Sequence, residues 1–346
     1  MLEILEQYYN GGLVYKQVHP RLPLTIWNYS EVVQYNELWD DITLQTRGLV
    51  TDDKGKIVGR PWKKFFNLEE GKHTPTTYFD VYSKLDGSLG ILFNYQDEWI
   101  LVTRGSFTSE QSIKGMEMLS KYDYNRLNKG YTYLFEILYD ENRIVCKYDF
   151  EDIVLLGINE TETEDEVDIY DSENDIVKTI RDIGFRIVKK YDGIKDFTLL
   201  KDNIRDDEEG FVVRFSNGDR MKIKGLEYLR LHKIMTNVST TGIWEYLKNG
   251  EDVLEMMKDV PDEFYGKIKS FISELNYQKM SIIEYSSKLF DSLYESYNGE
   301  LPEKSKYAQW VLEKEKHLHP ILFRMYDGKE YESYVWKLIK PEFKKL

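Results

Sequence analysis

Phe211-Val-Val-Arg-Phe215, Ser216-Asn-Gly-Asp219 and Arg220-Met-Lys-Ile-Lys224 follow one another without a gap, and the fold class turns on how they are read. The outer runs are rich in β-branched and aromatic residues, and Asn217-Gly218 suits a tight reversal, so the segment predicts a β-hairpin. Upstream, Tyr131-Thr-Tyr-Leu-Phe-Glu-Ile-Leu-Tyr139 has the same strand-like composition, and Ile153-Val-Leu-Leu-Gly-Ile158 reads as a buried strand. Strands mixed with a few helices, with no strict β-α-β alternation, predict an α+β domain built on antiparallel sheets.

Beyond about residue 240 the period changes. Gly242 to Met257, Asp262 to Tyr297, Pro302 to His317 and Lys329 to Ile339 carry apolar or aromatic residues at intervals of three and four, as in Ile268, Phe271, Ile272 and Leu275. Pro261, Gly299 and Pro302 punctuate these helices. The chain therefore divides, on this reading, into an antiparallel-sheet domain over 1–238 and an all-helical domain over 239–346. Its 346 residues suffice for two cores.

Hydrophobic residues at 41% and aromatics at 14% indicate a globular protein. The formal charge of −14 argues against broad, nonspecific coating of nucleic acid, but the acid is clustered. Glu160, Glu162, Glu164, Asp165, Glu166, Asp168, Asp171, Glu173 and Asp175 fall in one stretch without a Lys or Arg. That stretch reads as a solvated surface excursion. Without it the body is far less acidic. Cys146 is the only cysteine, so no intrachain disulfide can form, and a reducing cytoplasm fits. No basic-then-apolar leader and no apolar run of spanning length is visible, so a membrane partner is not expected.

On the strand predicted over 220–224, Lys222 and Lys224 face one way while Met221 and Ile223 face a core. Two lysines on one face suit a phosphate. The partner strand starts at Glu208-Glu209-Gly210, which sets a carboxylate at the edge of the same sheet, where a divalent metal could sit. Lys84-Leu-Asp-Gly-Ser88 contains Lys-x-Asp-Gly, a string that chance supplies in roughly one chain in ten of this length. Glu136 interrupts an apolar strand and needs a partner there, for which a pair of ribose hydroxyls would serve. Thr46-Arg47-Gly48 and Thr103-Arg104-Gly105-Ser106 add cations. Arg60-Pro-Trp-Lys-Lys64-Phe-Phe66-Asn67 mixes charge with aromatic faces, as a phosphate and a stacked base or sugar require. A lysine nucleophile must shed its proton, be surrounded by cations that neutralise a triphosphate, and have a metal-binding carboxylate nearby. Each of these residues taken singly has an ordinary structural explanation. Their joint occurrence in this order does not.

The chain resembles the ATP-dependent ligases and capping enzymes of the covalent lysine nucleotidyltransferase superfamily. More closely, it resembles the RNA ligase 1 type of T-even bacteriophages, which repairs cleaved tRNA. The likeness is carried by Thr46-Arg47-Gly48, Arg60-Pro-Trp-Lys-Lys64-Phe-Phe66-Asn-Leu-Glu69, Lys84-Leu-Asp86-Gly87-Ser88 and Arg104-Gly-Ser-Phe-Thr-Ser-Glu-Gln111. It continues through Phe135-Glu136, Asn142-Arg143-Ile-Val145, Glu209-Gly210-Phe-Val-Val and Lys222-Ile-Lys224, covering about residues 20 to 232 and, more loosely, the helical tail.

The resemblance implies an adenylyltransferase domain followed by a helical domain that selects the RNA. It implies an ATP-dependent ligase that joins 5′-phosphate and 3′-hydroxyl RNA ends through lysine–AMP and RNA–adenylate intermediates. ATP is then the co-substrate, Mg²⁺ or Mn²⁺ the metal, RNA (with tRNA foremost) the partner, and a monomer in the cytoplasm, host cytoplasm if the chain is viral, the setting. Lys84 would carry AMP. Arg47, Lys64, Lys222 and Lys224 would contact phosphates or the adenylate, Phe66 would line the pocket, and Gly87 would permit close backbone approach. Glu136 would meet the ribose and Glu209 the metal, while Tyr228 matches a tyrosine important for ligation. There are departures too: Arg104 stands where the family has lysine, Trp27 aligns with a nucleotide-contacting tyrosine, and Glu251 and Asp252 stand for an acidic pair proposed to bind a second metal, of which Asp252 is the candidate ligand. DNA ligases and capping enzymes usually carry a β-rich OB-fold after the lysine pair, and this tail is helical instead. A noncatalytic RNA-end-binding protein on a ligase scaffold is the alternative from another class. His317 and His319, two apart, fall on different helix faces, and His19, His73 and His232 read as structural.

Overall fold

The computed structural model describes residues 1–342 except His73, Arg143, Ile144, Asn237, Val238, Lys258, Asp259 and Pro261, and only the backbone of 232–236, 262 and 263. Arg143, His73 and the side chain of His232, named above, thus lie outside the described residues. The chain forms two units, Met1–Met235 and Thr236–Leu346.

The first unit runs α1 (Leu2–Asn10), β1 (Val14–Val18), β2 (Leu24–Tyr29), α2 (Glu31–Asn36), α3 (Asp41–Gln45), β3 (Arg47–Asp52), β4 (Ile57–Gly59), β5 (Phe66–Asn67) and β6 (Phe79–Lys84). It continues with β7 (Ser88–Tyr95), β8 (Glu98–Val102), α4 (Glu110–Leu119), β9 (Tyr131–Leu138), β10 (Asp152–Glu160), β11 (Glu166–Val167) and α5 (Asp175–Ile183). Then come β12 (Arg186–Ile187), β13 (Lys190–Tyr191), β14 (Gly210–Phe215), β15 (Arg220–Lys224) and α6 (Leu226–Thr236).

Three sheets result, ordered β1-β2-β3-β4, β11-β10-β9-β7-β8 with β12 beside β10, and β13-β6-β14-β15-β5. Pairing is antiparallel as expected, apart from the short parallel additions β12 on β10 and β5 on β15. The second sheet is buried on both faces, which is why its strands read as near-continuous apolar runs. One face packs Leu92, Tyr133, Phe135 and Ile137 against Met118, Leu119 and Ile180 of α4 and α5. The other packs Ile91, Phe93 and Val102 against Leu24, Ile26 and Val50 of the first sheet. The third sheet has its own core of Val81, Val213, Phe215, Met221 and Ile223. The predicted hairpin is β14–β15, with Phe211 opposite Ile223 and Val213 opposite Met221.

The acidic stretch after residue 160 departs from the sequence reading. It is not a loose excursion. Glu162 pairs with Lys56 at 2.7 Å, Glu164 with Arg60 at 2.5 Å and Lys63 at 3.3 Å, and Glu166, on β11, with Arg214 at 2.8 Å and with Arg220. The stretch has no cation of its own, so the ion pairs come from segments remote in sequence, which local charge patterning cannot reveal.

The second unit contains α7 (Thr240–Asn249), α8 (Val253–Met257), α9 (Asp262–Ser296), α10 (Lys304–Leu312), α11 (His319–Tyr326) and α12 (Glu332–Leu338). The stretch read as one helix from Gly242 is two, because Gly250 closes α7 with its N–H on the Leu247 and Tyr246 carbonyls. Helix α11 was not anticipated. Its Pro320 sits in the first turn, where a missing N–H costs nothing. Tyr307, Leu318, Ile321, Leu322 and Val335 are fully buried together, and the Tyr307 hydroxyl donates to the Leu322 carbonyl at 2.6 Å. No helix among the described residues is long and apolar enough to cross a membrane.

Candidate active site

Strand register assembles the centre of the site. On β14, Gly210 lies opposite Lys84 of β6 on one side and opposite Lys224 of β15 on the other. One step along the same face, Val212 lies between Tyr82 and Lys222. The alternation thus delivers Lys84, Lys222 and Lys224 to one face, while Met221 and Ile223 are fully buried behind them. Gly210 is required there: at φ +148° a Cβ would stand 1.9 Å from the Ile223 carbonyl oxygen.

Glu209, just before β14, is 3% exposed. Its Oε1 lies 2.6 Å from Lys84 Nζ and 3.9 Å from Lys224 Nζ. Its Oε2 is buried without a hydrogen-bond partner. Burial works to lower the Lys84 ammonium, but the carboxylates of Glu209 and Glu136 outweigh it and hold the group above its ordinary value, against the opposing charge of Lys222. Lys84 therefore rests as an ammonium in an ion pair. Glu136, on β9, is pushed up to about 7 by burial, with Lys84 pulling it down and Glu209 pushing it up further.

Lys84 ends β6 in the third sheet and Ser88 begins β7 in the second, so Leu85-Asp86-Gly87 is the crossing between sheets. Asp86 fixes that crossing. Its Oδ2 accepts the N–H groups of Val145 and Cys146 at 2.7 and 2.8 Å, and its Oδ1 accepts the Tyr228 hydroxyl at 3.0 Å. The Asp86 N–H donates to the Tyr148 hydroxyl at 2.8 Å. The Gly87 N–H donates to Glu136 Oε1 at 3.0 Å, so Glu136 finds its first partner in the backbone. The close approach that Gly87 permits in this structure is to β9, where a Cβ would stand 2.6 Å from the Ile137 carbonyl oxygen.

Lys64 is almost buried in a box of aromatic rings, its Nζ 5.7 Å from the Tyr29 centroid, 5.5 Å from Trp39 and 5.4 Å from Phe66. Arg104 donates to the Tyr29 hydroxyl at 3.2 Å, and the Arg47 guanidinium lies over the Phe65 ring at 5.6 Å. Cation–aromatic contacts of this kind hold an amine in place without consuming its charge. Trp27 is a correction. It does not line this box: it is 0% exposed among Leu5, Val14 and Leu49, with its indole N–H on Thr51 Oγ1 at 2.9 Å. A bulge between Trp27 and Asn28 shifts the register of β2 against β3, and Tyr29 is the aromatic residue of β2 that reaches Lys64.

In the helical unit, Asp252 is exposed and accepts the Leu254 N–H at 2.9 Å as α8 begins, while Glu251 accepts from Asn249 at 2.8 Å. No group of three or more His, Cys, Asp or Glu placed to hold a metal occurs among the described residues. Asp86, Tyr29, Trp39 and Tyr148 were missed as site residues by the sequence reading. Asp86 alone carried a signal, as the third letter of Lys-x-Asp-Gly.

The fold and site define an α+β protein in which a buried carboxylate stands between one lysine and the lysine pair of the neighbouring strand. Residues 45–237 match the family described as RNA ligase. More than half of the chain is matched, and the chain belongs to that family. A protein of Thermovibrio ammonificans, named provisionally as an RNA ligase, is 28% identical over 209 residues, covering 56% of this chain and 54% of the relative. One of Autographa californica nuclear polyhedrosis virus, named provisionally as a bifunctional polynucleotide kinase/RNA ligase, is 27% identical over 292 residues, covering 72% of this chain and 41% of the relative. The RNA ligase of Rhodothermus phage RM378 is 24% identical over 338 residues, covering 76% of this chain and 75% of the relative. The chain thus spans about half the length of the first two relatives.

Proposed function

We propose that this protein is an ATP-dependent RNA ligase in which Lys84 is the residue that carries AMP. The observation that supports this most is the row Lys84–Gly210–Lys224 with Glu209 Oε1 2.6 Å from the Lys84 amine. An ammonium has no lone pair, so the ion pair is the resting arrangement, and the nucleophile is the amine left when the Lys84 proton passes to water. In the first step the Lys84 nitrogen bonds to the α-phosphorus of ATP, the α–β phosphorus–oxygen bond breaks and pyrophosphate departs. In the second a 5′-phosphate oxygen of RNA attacks the lysine-bound phosphorus, forming a phosphoanhydride and freeing Lys84. In the third a 3′-hydroxyl attacks that activated phosphate, and AMP leaves with the anhydride oxygen.

Catalysis of this kind rests on positioning and charge. Lys222 and Lys224, on the face shared with Lys84, stabilise charge on the phosphoryl oxygens. Lys64, Arg47 and Arg104 supply further cations, Phe66 walls the pocket, and Glu136 orients the Lys84 loop through Gly87 and offers a carboxylate to the ribose. The buried, unpartnered Oε2 of Glu209 fits a divalent cation, and Mg²⁺ takes one or two carboxylates and completes its shell with water and phosphate. Such an ion neutralises the triphosphate when bound. Tyr228 holds Asp86 and with it the crossing. Asp252, exposed beside a helix start, has only its charge to suggest a second metal.

We assign residues 1–238 to adenylation and 239–346 to choice of RNA, with broken tRNA as the substrate, acting in the cytoplasm as a monomer. The test presents the protein and ATP with 5′-phosphorylated RNA and DNA ends, including nicked tRNA stem-loops. Joining of RNA with preference for the stem-loops is expected. Equal joining of every substrate removes the tRNA assignment, and no joining at all removes the ligase.

A further inference from the structure

Residues 145–148 hold Asp86 at both of its ends. The Asp86 carboxylate takes the Val145 and Cys146 N–H groups, and its main-chain N–H donates to the Tyr148 hydroxyl at 2.8 Å. The RNA-joining reading uses the crossing that Asp86 fixes but gives Tyr148 no part in it. Cys146 is buried, Lys147 exposed and Tyr148 half-buried, so residues 146 and 148 turn inward together. The Tyr148 ring packs against the core that the second sheet shares with α4 and α5, and it lies 5.8 Å from the Phe150 ring. Its hydroxyl is thus carried to Asp86 on a packed ring.

The bonds to Asp86 constrain different things. Those from Val145, Cys146 and Tyr228 to the carboxylate fix where the side chain sits. A main-chain N–H lies in its peptide plane, so the bond to Tyr148 fixes the rotation of the Leu85–Asp86 peptide. That peptide is one residue from Lys84, which ends β6 opposite Gly210. A turn of the plane is passed to Leu85 and the end of β6 even while the carboxylate stays anchored. Asp86 is 3% exposed, and an N–H left unpaired at so buried a place drives its peptide towards another acceptor. Burial holds the Tyr148 phenol well above its ordinary value, against the pull of the Asp86 N–H, so the hydroxyl stays neutral and is no base for Lys84. What it supplies is a fixed acceptor.

We infer that Tyr148 is a positioning residue for AMP transfer: its hydroxyl, through the Asp86 N–H, holds the Lys84 end of β6 in line with the α-phosphorus. The inference rests on the ligase reading. The three steps separate positioning from mere support, because the last one, attack of a 3′-hydroxyl on an RNA–adenylate, makes and breaks no bond to Lys84. The test uses Tyr148→Phe, which removes the hydroxyl and keeps the ring, in the full chain with Mg²⁺. Two rates are taken on one preparation: AMP transfer to the protein at saturating ATP, and joining of a ready-made 5′-adenylated RNA to a 3′-hydroxyl strand. AMP transfer is expected to slow by about 10- to 100-fold, with the KM for ATP and the joining of adenylated RNA within about twofold of wild type. Partial unfolding lowers both rates together, so equal losses overturn the inference. Unchanged AMP transfer at saturating ATP overturns it too, whether or not the KM for ATP rises. In wild type the Asp86 amide is expected to be protected from hydrogen exchange, and exchange at the pace of an open loop overturns the inference without any variant. Wild type that neither takes AMP nor joins adenylated RNA sinks the ligase reading, a result distinct from each of these.

Discussion

The lysine-bearing face of the third sheet carries one arrangement twice, a carboxylate between two cations, with very different chemistry at the two ends. At one end Glu209 stands between Lys84 and Lys224; two rows along, roughly 13 Å at strand spacing, Glu166 stands between Arg214 and Arg220. Guanidinium groups present planar forks, and they engage both oxygens of Glu166. Ammonium groups are point charges, and at Glu209 they crowd one oxygen and leave the other unmatched. The arginine end is a closed structural tie. The lysine end is an open valence. Charge and burial are similar, so it is the shape of the cation that separates a closed tie from a carboxylate with one oxygen unmatched.

Breaking each end in turn gives the largest contrast. Glu209→Gln is expected to lower AMP transfer by on the order of 100-fold or more, measured as labelled enzyme per minute. Glu166→Gln is expected to leave that rate within a few-fold and instead to lose about 3 kcal/mol of stability in urea unfolding, because it strands two arginines, one of them nearly buried. Equal effects of the two changes on AMP transfer would dissolve the distinction.

Next in size is Gly87→Ala, whose Cβ would press on the Ile137 carbonyl oxygen at 2.6 Å and drive the crossing away from β9. A loss of about 1–3 kcal/mol together with slower AMP transfer is expected; an unchanged melting curve and rate would show that the crossing is not pinned there. Exchanging the cations sharpens the comparison further. Lys224→Arg preserves charge but lets a fork occupy the second oxygen of Glu209, and about tenfold slower AMP transfer is expected. Arg220→Lys costs about 1 kcal/mol and spares the rate. The smallest effect is an absence of reaction. Burial, then Asp86 and Glu209, push the Cys146 thiol up to about 12, so the native protein should resist alkylation at pH 8 and react only when unfolded.

Much of this was legible in the sequence, and the reason is periodicity. The two-residue alternation of Arg220-Met-Lys-Ile-Lys224 placed Lys222 and Lys224 on one face and Met221 and Ile223 in the core, as the structure has them. Asn217-Gly218 marked the turn, and the shift to a period near 3.6 marked the helical unit. What escaped depends on breaks in the period or on partners far away in sequence. The bulge beside Trp27 sent that indole into a core and gave its expected place to Tyr29. The acids after residue 160 find their cations at Lys56, Arg60, Lys63, Arg214 and Arg220, which only the folded chain brings near. Asp86 was visible as a letter, but its four hydrogen bonds to two remote segments were not.

The residue on which AMP is found decides the assignment of Lys84. After incubation with ATP and Mg²⁺, peptide mapping by mass spectrometry should find one AMP on the peptide containing Lys84, and none on any peptide of Lys84→Ala. AMP on a different residue, as much AMP on Lys84→Ala as on wild type, or none on wild type would contradict it.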